Sequence, residues 1–588
     1  MLPDSAGTSG NAFRIVVLSG APPRVLARLL SELCRSTQPM QVTGVLYWVQ
    51  SPKRLPDRIR NLLSQFRKPG YLSYVGHRLK SSLADRVRRG GQFLWKMVHA
   101  HFPSEDSFGV EQLAEHCRQL GIPFQTTSRF HSDTSLQFVA QGQPDLGIVY
   151  GTPILKPCLF ELPRLGSINL HQRKVPDYRG GGPIALWEML NGESEIGVTV
   201  HRVAEKLDAG AVIRSATLPI EPADTLTSLE LKAHVVGIDL LVGAATDFAT
   251  GQVRETPQTG EGRMYRNPKP EAMRELLAEL QDLRGIPKAE LTYPLWKLLA
   301  RYVVLTPWLA VRNWYRRFTG TFPLVVLYHH VITERPHFLG MSTDQFLHQM
   351  QYLRRYYDIV DLKTGMERLR SGRISRPTVV LTLDDGYRDN VINLRAAALD
   401  GDVPATLYVC PGHIETQQAF GHDVQRGHDD FPPMSWDELR CLEAWGFHFG
   451  AHTRFHFDCG SHDEATLIDQ IAVCRRELEA QVGHEVPDFS YPFGLPQNIS
   501  ERAFRIAHDN YQTVATAYGG VNRCGQEDPQ HLYRIPHPTS LLEVELLLQQ
   551  ALVFGQPELW RGGGPPEEST STPTTEQNQS TTATACVR

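Results

Sequence analysis

Short β-branched runs alternate with stretches of helical periodicity in two separate parts of this 588-residue chain. The first series starts with "RIVVLSG" and "PRVLARLLSELCRS" near residue 14, and the second starts with "FPLVVLYHHV" at residue 322. Strands and helices that alternate in this way form a mostly parallel sheet with helices on its faces. A chain of this length also exceeds what one hydrophobic core usually supports. We therefore expect an α/β protein with at least two domains.

Changes in composition set the expected domain boundaries. The first α/β series would occupy residues 1–262, and the second, whose short and evenly spaced strands favour a parallel barrel, residues 321–560. A basic stretch at 51–96 shows no strand pattern and is interpreted as an insertion. Residues 561–588 are rich in Ser, Thr and Pro and almost free of apolar residues, which predicts a disordered tail.

The intervening residues, 263–320, are expected to form a helical linker. Their second part, 285–320, combines Trp, Tyr and Leu with Lys and Arg. This composition fits an amphipathic helix that makes peripheral contact with a membrane. It also fits a helix packed between two domains, which is the preferred interpretation.

Composition argues against several classes of protein. The net charge of −4 gives the chain no overall attraction to nucleic acid or membranes. The nine cysteines are scattered and form no C-x-x-C pair, which argues against a disulfide framework and fits a reducing compartment. The first residues show no basic region followed by an apolar run, and no apolar run approaches the roughly 18 residues of a membrane-spanning helix. We expect a cytoplasmic protein without a secretory signal.

An amide and an imidazole stand together at the end of the strand "GSINLH". Asn169 and His171 are two residues apart, so in a strand they point to the same face. Open parallel sheets bind ligands beyond the carboxyl ends of their strands, and the glycines at 180–182 would let backbone approach a ligand closely. With Asp208 added, these groups can transfer an acyl group to an amine, because the amide stabilises the oxyanion, the imidazole moves the proton and the carboxylate orients the imidazole. Taken singly, each residue also fits a purely structural role.

The sequence around these residues resembles the folate-dependent formyltransferases. The shared pattern is N-x-H, P-x-Y-R-G, P-x-x-W, N-G-E, G-V-T-x-H and L-D-x-G, found in "INLHQRKVPDYRGGGPIALWEMLNGESEIGVTVHRVAEKLDAGAVI". The resemblance covers about residues 13–255 and implies an open, Rossmann-like parallel sheet with 10-formyltetrahydrofolate as the formyl donor. The catalytic residues that it implies are Asn169, His171 and Asp208. The folate-binding segment that it implies is Gly151, Thr152, Pro153, Ile154 and Leu155.

The acceptor amine is less clearly indicated. The "QRKV" segment after His171 departs from the family pattern and would alter the acceptor pocket more than the chemistry. Relatives that formylate methionyl-tRNA carry a C-terminal tRNA-binding barrel, but here the second α/β series takes that place. The slightly acidic charge balance is also unfavourable for tRNA. We therefore expect a nucleotide-linked or lipid-linked amino sugar as the acceptor, and no nucleic acid, although the basic stretch at 51–96 keeps tRNA open as a less favoured acceptor.

Two adjacent carboxylates end the apolar run "VVLTLDDG" in the second series. Asp384 and Asp385 would repel each other unless a cation shares the site. His452 and His456 in "GAHTRFH" supply two imidazoles four residues apart. Two His and one carboxylate leave open coordination positions, as a catalytic rather than a structural zinc site requires. A D-D-G turn or an H-x-x-x-H pair alone would mean little.

In this order, and with "FSYPFG" downstream, these residues resemble the polysaccharide deacetylases. The family pattern is T-F-D-D-G, then H-T-x-x-H, then Y-P-x-G, and the resemblance spans about residues 322–545. It implies a barrel-like fold and a divalent metal, with zinc expected. The roles that it implies are general base for Asp384, metal ligand for Asp385, His452 and His456, oxyanion contact for the backbone amide of Tyr491, and general acid for His537.

Two features depart from that family pattern. The Arg that many relatives place before the Y-P-x-G turn is absent, which leaves no evident partner to orient Asp384. His537 stands where relatives often have Arg. Of the two histidines in "VVLYHHV", His330 is interpreted as structural and His329 is left open.

Together the two halves predict opposite reactions on an amide. Deacetylation of an N-acetylated amino sugar frees an amine and formylation consumes one, so the chain would exchange N-acetyl for N-formyl. The alternatives are tailoring of a natural-product or lipid-linked amine, removal of the added formyl group by the hydrolase, and an active deacetylase with a non-catalytic folate-binding module. The oligomeric state is also open, a homo-oligomer included.

Overall fold

The computed structural model describes residues 12–50, 98–99, 108–284 and 294–552, apart from residues 527, 529, 537 and 539. The basic stretch at 51–96, the tail at 561–588 and His537 lie outside the described residues. The chain divides into two compact units, the first built mainly from residues before 287 and the second mainly from residues after it.

The first unit contains a seven-stranded sheet with helices between its strands. The strands of the unit are β1 (Phe13–Ser19), β2 (Met40–Trp48), β3 (Phe124–Thr127), β4 (Leu146–Tyr150), β5 (Ser167–His171), β6 (Tyr178–Gly180), β7 (Glu195–Arg202), β8 (Val212–Pro219) and β9 (Arg263–Tyr265). β6 and β9 pair with each other in a separate two-stranded sheet. Its helices are α1 (Pro23–Arg35), α2 (Val110–Gln119), α3 (Asp133–Gln141), α4 (Pro157–Phe160), α5 (Leu186–Leu190), α6 (Leu226–Ala249) and α7 (Pro270–Arg284).

The strand order in this sheet is β3-β2-β1-β4-β5-β7-β8. The pairs from β3 to β5 are parallel, whereas β7 runs antiparallel to both of its neighbours. β4 is buried at every residue, as a strand covered on both faces should be. Because β4 and β5 are parallel neighbours, their carboxyl ends lie side by side and define one edge of the sheet.

Local sequence explains where the helices of this unit begin and what they bury. α1 is amphipathic, and its buried residues are Val25, Leu26, Ala27, Leu29, Leu30 and Leu33. α6 begins with a capping box in which the Thr225 side chain accepts a hydrogen bond from the Ser228 amide and the Ser228 side chain accepts one from the Thr225 amide. These features hold the helices against the sheet that carries the predicted catalytic residues.

The second unit repeats strands and helices in a different architecture. Its strands are β10 (Leu324–His329), β11 (Val331–Ile332), β12 (Gly340–Met341), β13 (Asp358–Val360), β14 (Thr378–Leu383), β15 (Ala405–Val409), β16 (His448–Ala451), β17 (Asp488–Ser490), β18 (Thr513–Thr516) and β19 (His531–Pro536). Its helices are α8 (Leu295–Thr319), α9 (Thr343–Tyr356), α10 (Leu362–Arg370), α11 (Asp389–Asp400), α12 (Pro411–Thr416), α13 (Gly421–Val424), α14 (Trp436–Ala444), α15 (Glu464–Ile468), α16 (Cys474–Val482), α17 (Glu501–Asn510) and α18 (Leu541–Leu548).

Seven parallel strands of this unit close into a barrel. The order is β10-β19-β18-β17-β16-β15-β14, and β10 also pairs with β14 to complete the ring. β13 pairs with the first half of β14, whose second half pairs with β15. The expected α/β class and the parallel barrel are confirmed. Since all seven strands are parallel, the residues at their carboxyl ends meet at one end of the barrel.

The helix α8 occupies most of the segment for which two interpretations were open. Its buried residues are Leu298, Tyr302, Thr306, Leu309 and Asn313, and it contacts α18 within the second unit. Arg312 donates hydrogen bonds to the backbone carbonyl of Gln549 at 2.7 Å and to its side-chain oxygen at 2.7 Å. None of the helices in the described ranges combines the length and the hydropathy that a bilayer span requires.

Candidate active sites

A cavity of about 770 Å³ opens at the carboxyl ends of β4 and β5 in the first unit. Its walls include the predicted catalytic side chains Asn169, His171 and Asp208. All five residues of the predicted folate-binding segment, Gly151 to Leu155, line the same cavity. The fold thus brings together every residue that the sequence pointed to in this half of the chain.

His201 also belongs to this cavity, although the sequence patterns gave it no role. β5 pairs with β7 in the register that places Asn169 opposite His201. The Nδ2 atom of Asn169 lies 3.2 Å from Nε2 of His201, and that nitrogen lies 3.6 Å from Oδ1 of Asp208. Nδ1 of His201 lies 2.7 Å from the Arg202 carbonyl, which can only accept, so Nδ1 carries a proton. A lone pair on Nε2 accepts from the Asn169 amide, which keeps a second N–H for a ligand, whereas a proton on Nε2 is shared with Asp208.

The hydrogen bonds of His171 define which of its nitrogens can take a proton. Nε2 lies 2.8 Å from the Tyr178 carbonyl and therefore donates to it. Nδ1 of the neutral ring is then the basic nitrogen, and it lies 3.8 Å from Oδ2 of Asp208. The same Asp208 oxygen accepts a hydrogen bond of 2.9 Å from the Gly180 amide. The imidazole is thus presented to the cavity with a carboxylate beside its free nitrogen.

Burial and charge set the protonation of this pair. Burial lowers the pKa of His171 and outweighs the opposing effect of Asp208. Burial alone would raise the pKa of Asp208, but the hydrogen bond with His201, the proximity of the His171 ring and the hydrogen bond from the Gly180 amide lower it overall. Near neutral pH the cavity therefore holds an ionised carboxylate next to a neutral imidazole, the state that a general base needs.

The second unit has a cavity of about 430 Å³ at the carboxyl-end opening of its barrel. It is lined by residues from several strand ends, among them His330, Asp384, Asp385, His452, His456, Tyr491 and Arg534. Asp385 and His456 have positive φ angles of 71° and 51°, which residues other than glycine adopt at a cost. Strained backbone at two neighbouring side chains of one cavity is typical of functional sites.

Three of these side chains form a group that fits a metal ion. The ligand atoms of Asp385, His452 and His456 all lie within 4.8 Å of one another. Nε2 of His456 is 3.2 Å and Nε2 of His452 is 3.4 Å from Oδ1 of Asp385. Both Asp385 oxygens are buried without a hydrogen bond in the described part of the chain. A buried carboxylate left unsatisfied between two imidazoles is the arrangement that a divalent cation completes.

His452 is already oriented for such a role by its other ring nitrogen. Nδ1 of His452 donates to the Ser490 carbonyl at 2.8 Å, which leaves the Nε2 lone pair for the cluster. This backbone contact fixes the tautomer and the plane of the ring. His422 is a neighbour that sequence reasoning missed, and its Nε2 lies 3.8 Å from Oδ2 of Asp385.

The partner of Asp384, which the sequence left without assignment, is Arg534 on β19. The guanidinium donates from Nη1 to Oδ1 at 2.7 Å and from Nη2 to Oδ2 at 2.9 Å, and Nη2 also donates to the Ser490 hydroxyl at 2.7 Å. Both side chains are buried. Burial alone would raise the pKa of Asp384, but the charge of Arg534 lowers it overall. Asp384 is therefore a fixed, ionised carboxylate beside the three candidate metal ligands.

The other residues considered for the second site are Tyr491, His537, His329 and His330. The Tyr491 backbone amide, expected to contact an oxyanion, donates to the Ala515 carbonyl at 3.2 Å, so an oxyanion would compete with that carbonyl. His537 lies outside the described residues, and its role as general acid stays a prediction. His330, interpreted as structural, and His329 both line the cavity.

Family comparison agrees with this division into two sites. The family described as formyl transferase matches residues 105–245, and the family described as polysaccharide deacetylase matches residues 371–513. The predicted resemblance of each half is confirmed. The chain joins a formyltransferase-like region to a polysaccharide deacetylase-like region.

Curated relatives that resemble part of the chain include methionyl-tRNA formyltransferases. The methionyl-tRNA formyltransferase of Listeria monocytogenes is 34% identical over 145 residues, which are 24% of this chain and 46% of the relative. That of Macrococcus caseolyticus is 38% identical over 151 residues, which are 25% of this chain and 47% of the relative. The chain spans about half the length of the curated relatives it matches.

Solved structures resemble each region at low sequence identity. The Streptococcus pyogenes deacetylase PplD in complex with acetate is 19% identical with a TM-score of 0.34, over 39% of this chain and 98% of that one. A sugar N-formyltransferase from a Shewanella species is 14% identical with a TM-score of 0.27, over 43% of this chain and 76% of that one.

Proposed function

We propose that this chain is a bifunctional enzyme that removes the acetyl group from an N-acetylated amino sugar and transfers a formyl group from 10-formyltetrahydrofolate to the amine. The observation that carries the proposal is the co-occurrence of two cavities with complementary chemistry. One places an amide, a neutral imidazole and a carboxylate together, and the other places a metal-ligand triad beside an ionised carboxylate. The product of the second chemistry is the substrate of the first.

In the first site the residues divide the work of amide formation. The segment Gly151–Leu155 would hold the folate, which supplies the formyl group. The free N–H of the Asn169 amide stabilises negative charge that develops on the formyl oxygen. Nδ1 of His171 removes a proton from the attacking amine, and Asp208 beside it stabilises the imidazolium that results. The bond between the formyl carbon and the folate nitrogen then breaks, and that nitrogen takes the proton from the imidazolium. No serine or cysteine nucleophile is required.

In the second site the chain's own residues prepare amide hydrolysis. Asp385, His452 and His456 would hold a divalent cation, zinc by the nature of the ligands, which supplies Lewis-acid chemistry at the acetyl carbonyl. Asp384 acts as general base, and Arg534 keeps it ionised and oriented. Each carboxylate oxygen retains a lone pair beyond its bond to Arg534, so the base can still accept a proton. His537 is proposed to protonate the departing amine.

The exchange is tested by mass spectrometry of N-acetylated amino sugars, nucleotide-linked ones included, incubated with the full chain, a divalent metal and 10-formyltetrahydrofolate. The complete mixture should give N-formyl product, and omission of folate should give free amine. His171→Asn should also stop at the free amine, whereas His456→Ala should leave the acetyl group in place.

Three other outcomes of this experiment would each favour one of the alternative functions. Free amine that persists with folate present would mean that the formyl acceptor is a different molecule. Normal formylation by the His171→Asn chain would mean that the first cavity is a binding module. Loss of formyl from a preformed N-formyl sugar, with the N-acetyl sugar untouched, would reverse the proposed order.

A further inference from the structure

The helix α8 leaves a wide apolar face uncovered in the described part of the chain. Val304 is 76% exposed, Trp314 66% and Phe318 78%, values normally seen for charged surface residues. The exposed large apolar side chains on the side of the helix opposite its buried residues include Val304, Trp308, Val311, Trp314, Tyr315 and Phe318. A continuous patch of this kind marks an interaction surface.

The charges of the same helix are all of one sign. Its sequence, "LWKLLARYVVLTPWLAVRNWYRRFT", contains one Lys and four Arg and no Asp or Glu, although the whole chain has a net charge of −4. Lys297 and Arg301 are exposed beside the apolar face. The Lys297 ammonium lies 5.6 Å from the centre of the exposed Trp296 ring. Exposed cations and aromatic rings thus lie side by side on this surface.

We propose that this exposed face of α8 docks the enzyme on an anionic membrane surface. Tryptophan and tyrosine favour the boundary between headgroups and acyl chains, while Lys and Arg beside them attract anionic headgroups. A second copy of the chain is a poorer occupant, because an identical helix without acidic residues would bring cations against cations. The inference concerns a surface outside both active sites and does not depend on the proposed reactions.

The opposite face of α8 shows that docking requires no rearrangement of the helix. Leu298, Tyr302 and Leu309 are buried in the second unit, and Arg312 is bonded to Gln549. Gly320, with a φ of 71°, ends the helix in the left-handed conformation that glycine adopts readily. The contacts of the buried face thus hold the helix on the second unit while its apolar face stays exposed.

The test is co-sedimentation of the full chain with vesicles of phosphatidylcholine and phosphatidylglycerol, compared with phosphatidylcholine alone. Binding is expected to the anionic vesicles and to weaken as salt is added. The double substitution Trp308→Glu/Phe318→Glu should lower the bound fraction about ten-fold or more, since it places charge on the apolar face. Lys297→Gln/Arg301→Gln, which leaves the aromatic face intact, should weaken binding to the anionic vesicles only.

Leu283→Glu is the matched control, because Leu283 is also an exposed apolar residue but lies on α7. It should bind like the unsubstituted chain. The proposal is overturned if the unsubstituted chain ignores anionic vesicles, or if Trp308→Glu/Phe318→Glu binds them equally well. It is also overturned if sedimentation velocity shows a dimer that the same double substitution dissociates, because the occupant is then a second copy.

Discussion

Arg534 and Asp384 form a two-point ion pair inside the barrel, with Nη1 and Nη2 at 2.7 and 2.9 Å from the two carboxylate oxygens. The pair joins β19 to the residue that follows β14, and the Ser490 hydroxyl accepts a further hydrogen bond from the same guanidinium. Both partners are buried, so neither charge is solvated if the other is removed. The pair therefore serves both the stability of the barrel and the state of the proposed base.

Arg534→Met is expected to destabilise the chain by about 3–5 kcal/mol, because it leaves the Asp384 carboxylate buried without its partner. Urea unfolding monitored for the second unit measures this. Arg534→Met/Asp384→Leu should recover much of the loss, since both charges are then absent. Arg388→Met, at a surface pair with Glu438, should cost less than about 1 kcal/mol. Equal costs for Arg534→Met and Arg388→Met would contradict the argument.

Asn169→Ala is expected to lower the rate constant of formyl transfer by roughly 10²–10³, the usual effect of removing one oxyanion donor. Single-turnover kinetics with saturating folate and amine measure the step directly. Deacetylation by the same variant should be unchanged, and this internal control separates a local loss from misfolding. A parallel loss of both activities would point to a structural role for Asn169 at the end of β5.

Formyl transfer should remain active at a lower pH than an ordinary histidine base allows. Burial lowers the pKa of His171 below 6.5, so its neutral form persists as the pH falls, and activity is lost only as the pH passes through the lowered value. The pH profile of kcat/KM locates this acid limb.

Asp208→Asn provides a second test of the pH dependence of kcat/KM for formyl transfer. Asp208 opposes the lowering of the His171 pKa, so Asp208→Asn should move the acid limb further down even as the maximal rate falls. An acid limb that stays in place in Asp208→Asn would show that another group titrates.

Removal of divalent cations should stop deacetylation and leave formyl transfer intact, because the candidate ligands lie in the second unit only. Chelation followed by gel filtration, then elemental analysis, tests metal retention without reference to activity. His456→Ala should lose most of the metal that the unsubstituted chain keeps. His462→Ala, a histidine that lines neither cavity, should keep it. Equal metal content in the two variants would exclude the assigned triad.

Sequence patterns were sufficient where a residue's neighbours along the chain determine its direction. Asn169 and His171 share a strand, and His452 and His456 follow one strand end, so their spacing together with the family patterns predicted that each pair lies at one site. The barrel was also predictable, because its strands are short, apolar and regularly interleaved with helices. In each case the informative contacts are local.

Arg534 and His201 could not be assigned because their partners are distant in sequence. Arg534 is 150 residues from Asp384 and sits in the apolar strand "HLYRIP", where the pattern gives no direction for the side chain. His201 faces Asn169 only through the antiparallel register of β5 with β7. The register of β5 with β7 and the closure of the barrel by β19 arise only in the folded sheet, so no local sequence pattern specifies them. An arginine in a mostly apolar strand is the signal that could have drawn attention to Arg534.

The closure of the barrel by β19 has a consequence for biosynthesis. Asp384 emerges from the ribosome early, but the guanidinium that sets its charge and orientation arrives with the last strand of the ring. A second unit that ends before β19 therefore carries its candidate metal ligands without the residue that orients Asp384. Under the proposed function, hydrolysis depends on completion of the barrel.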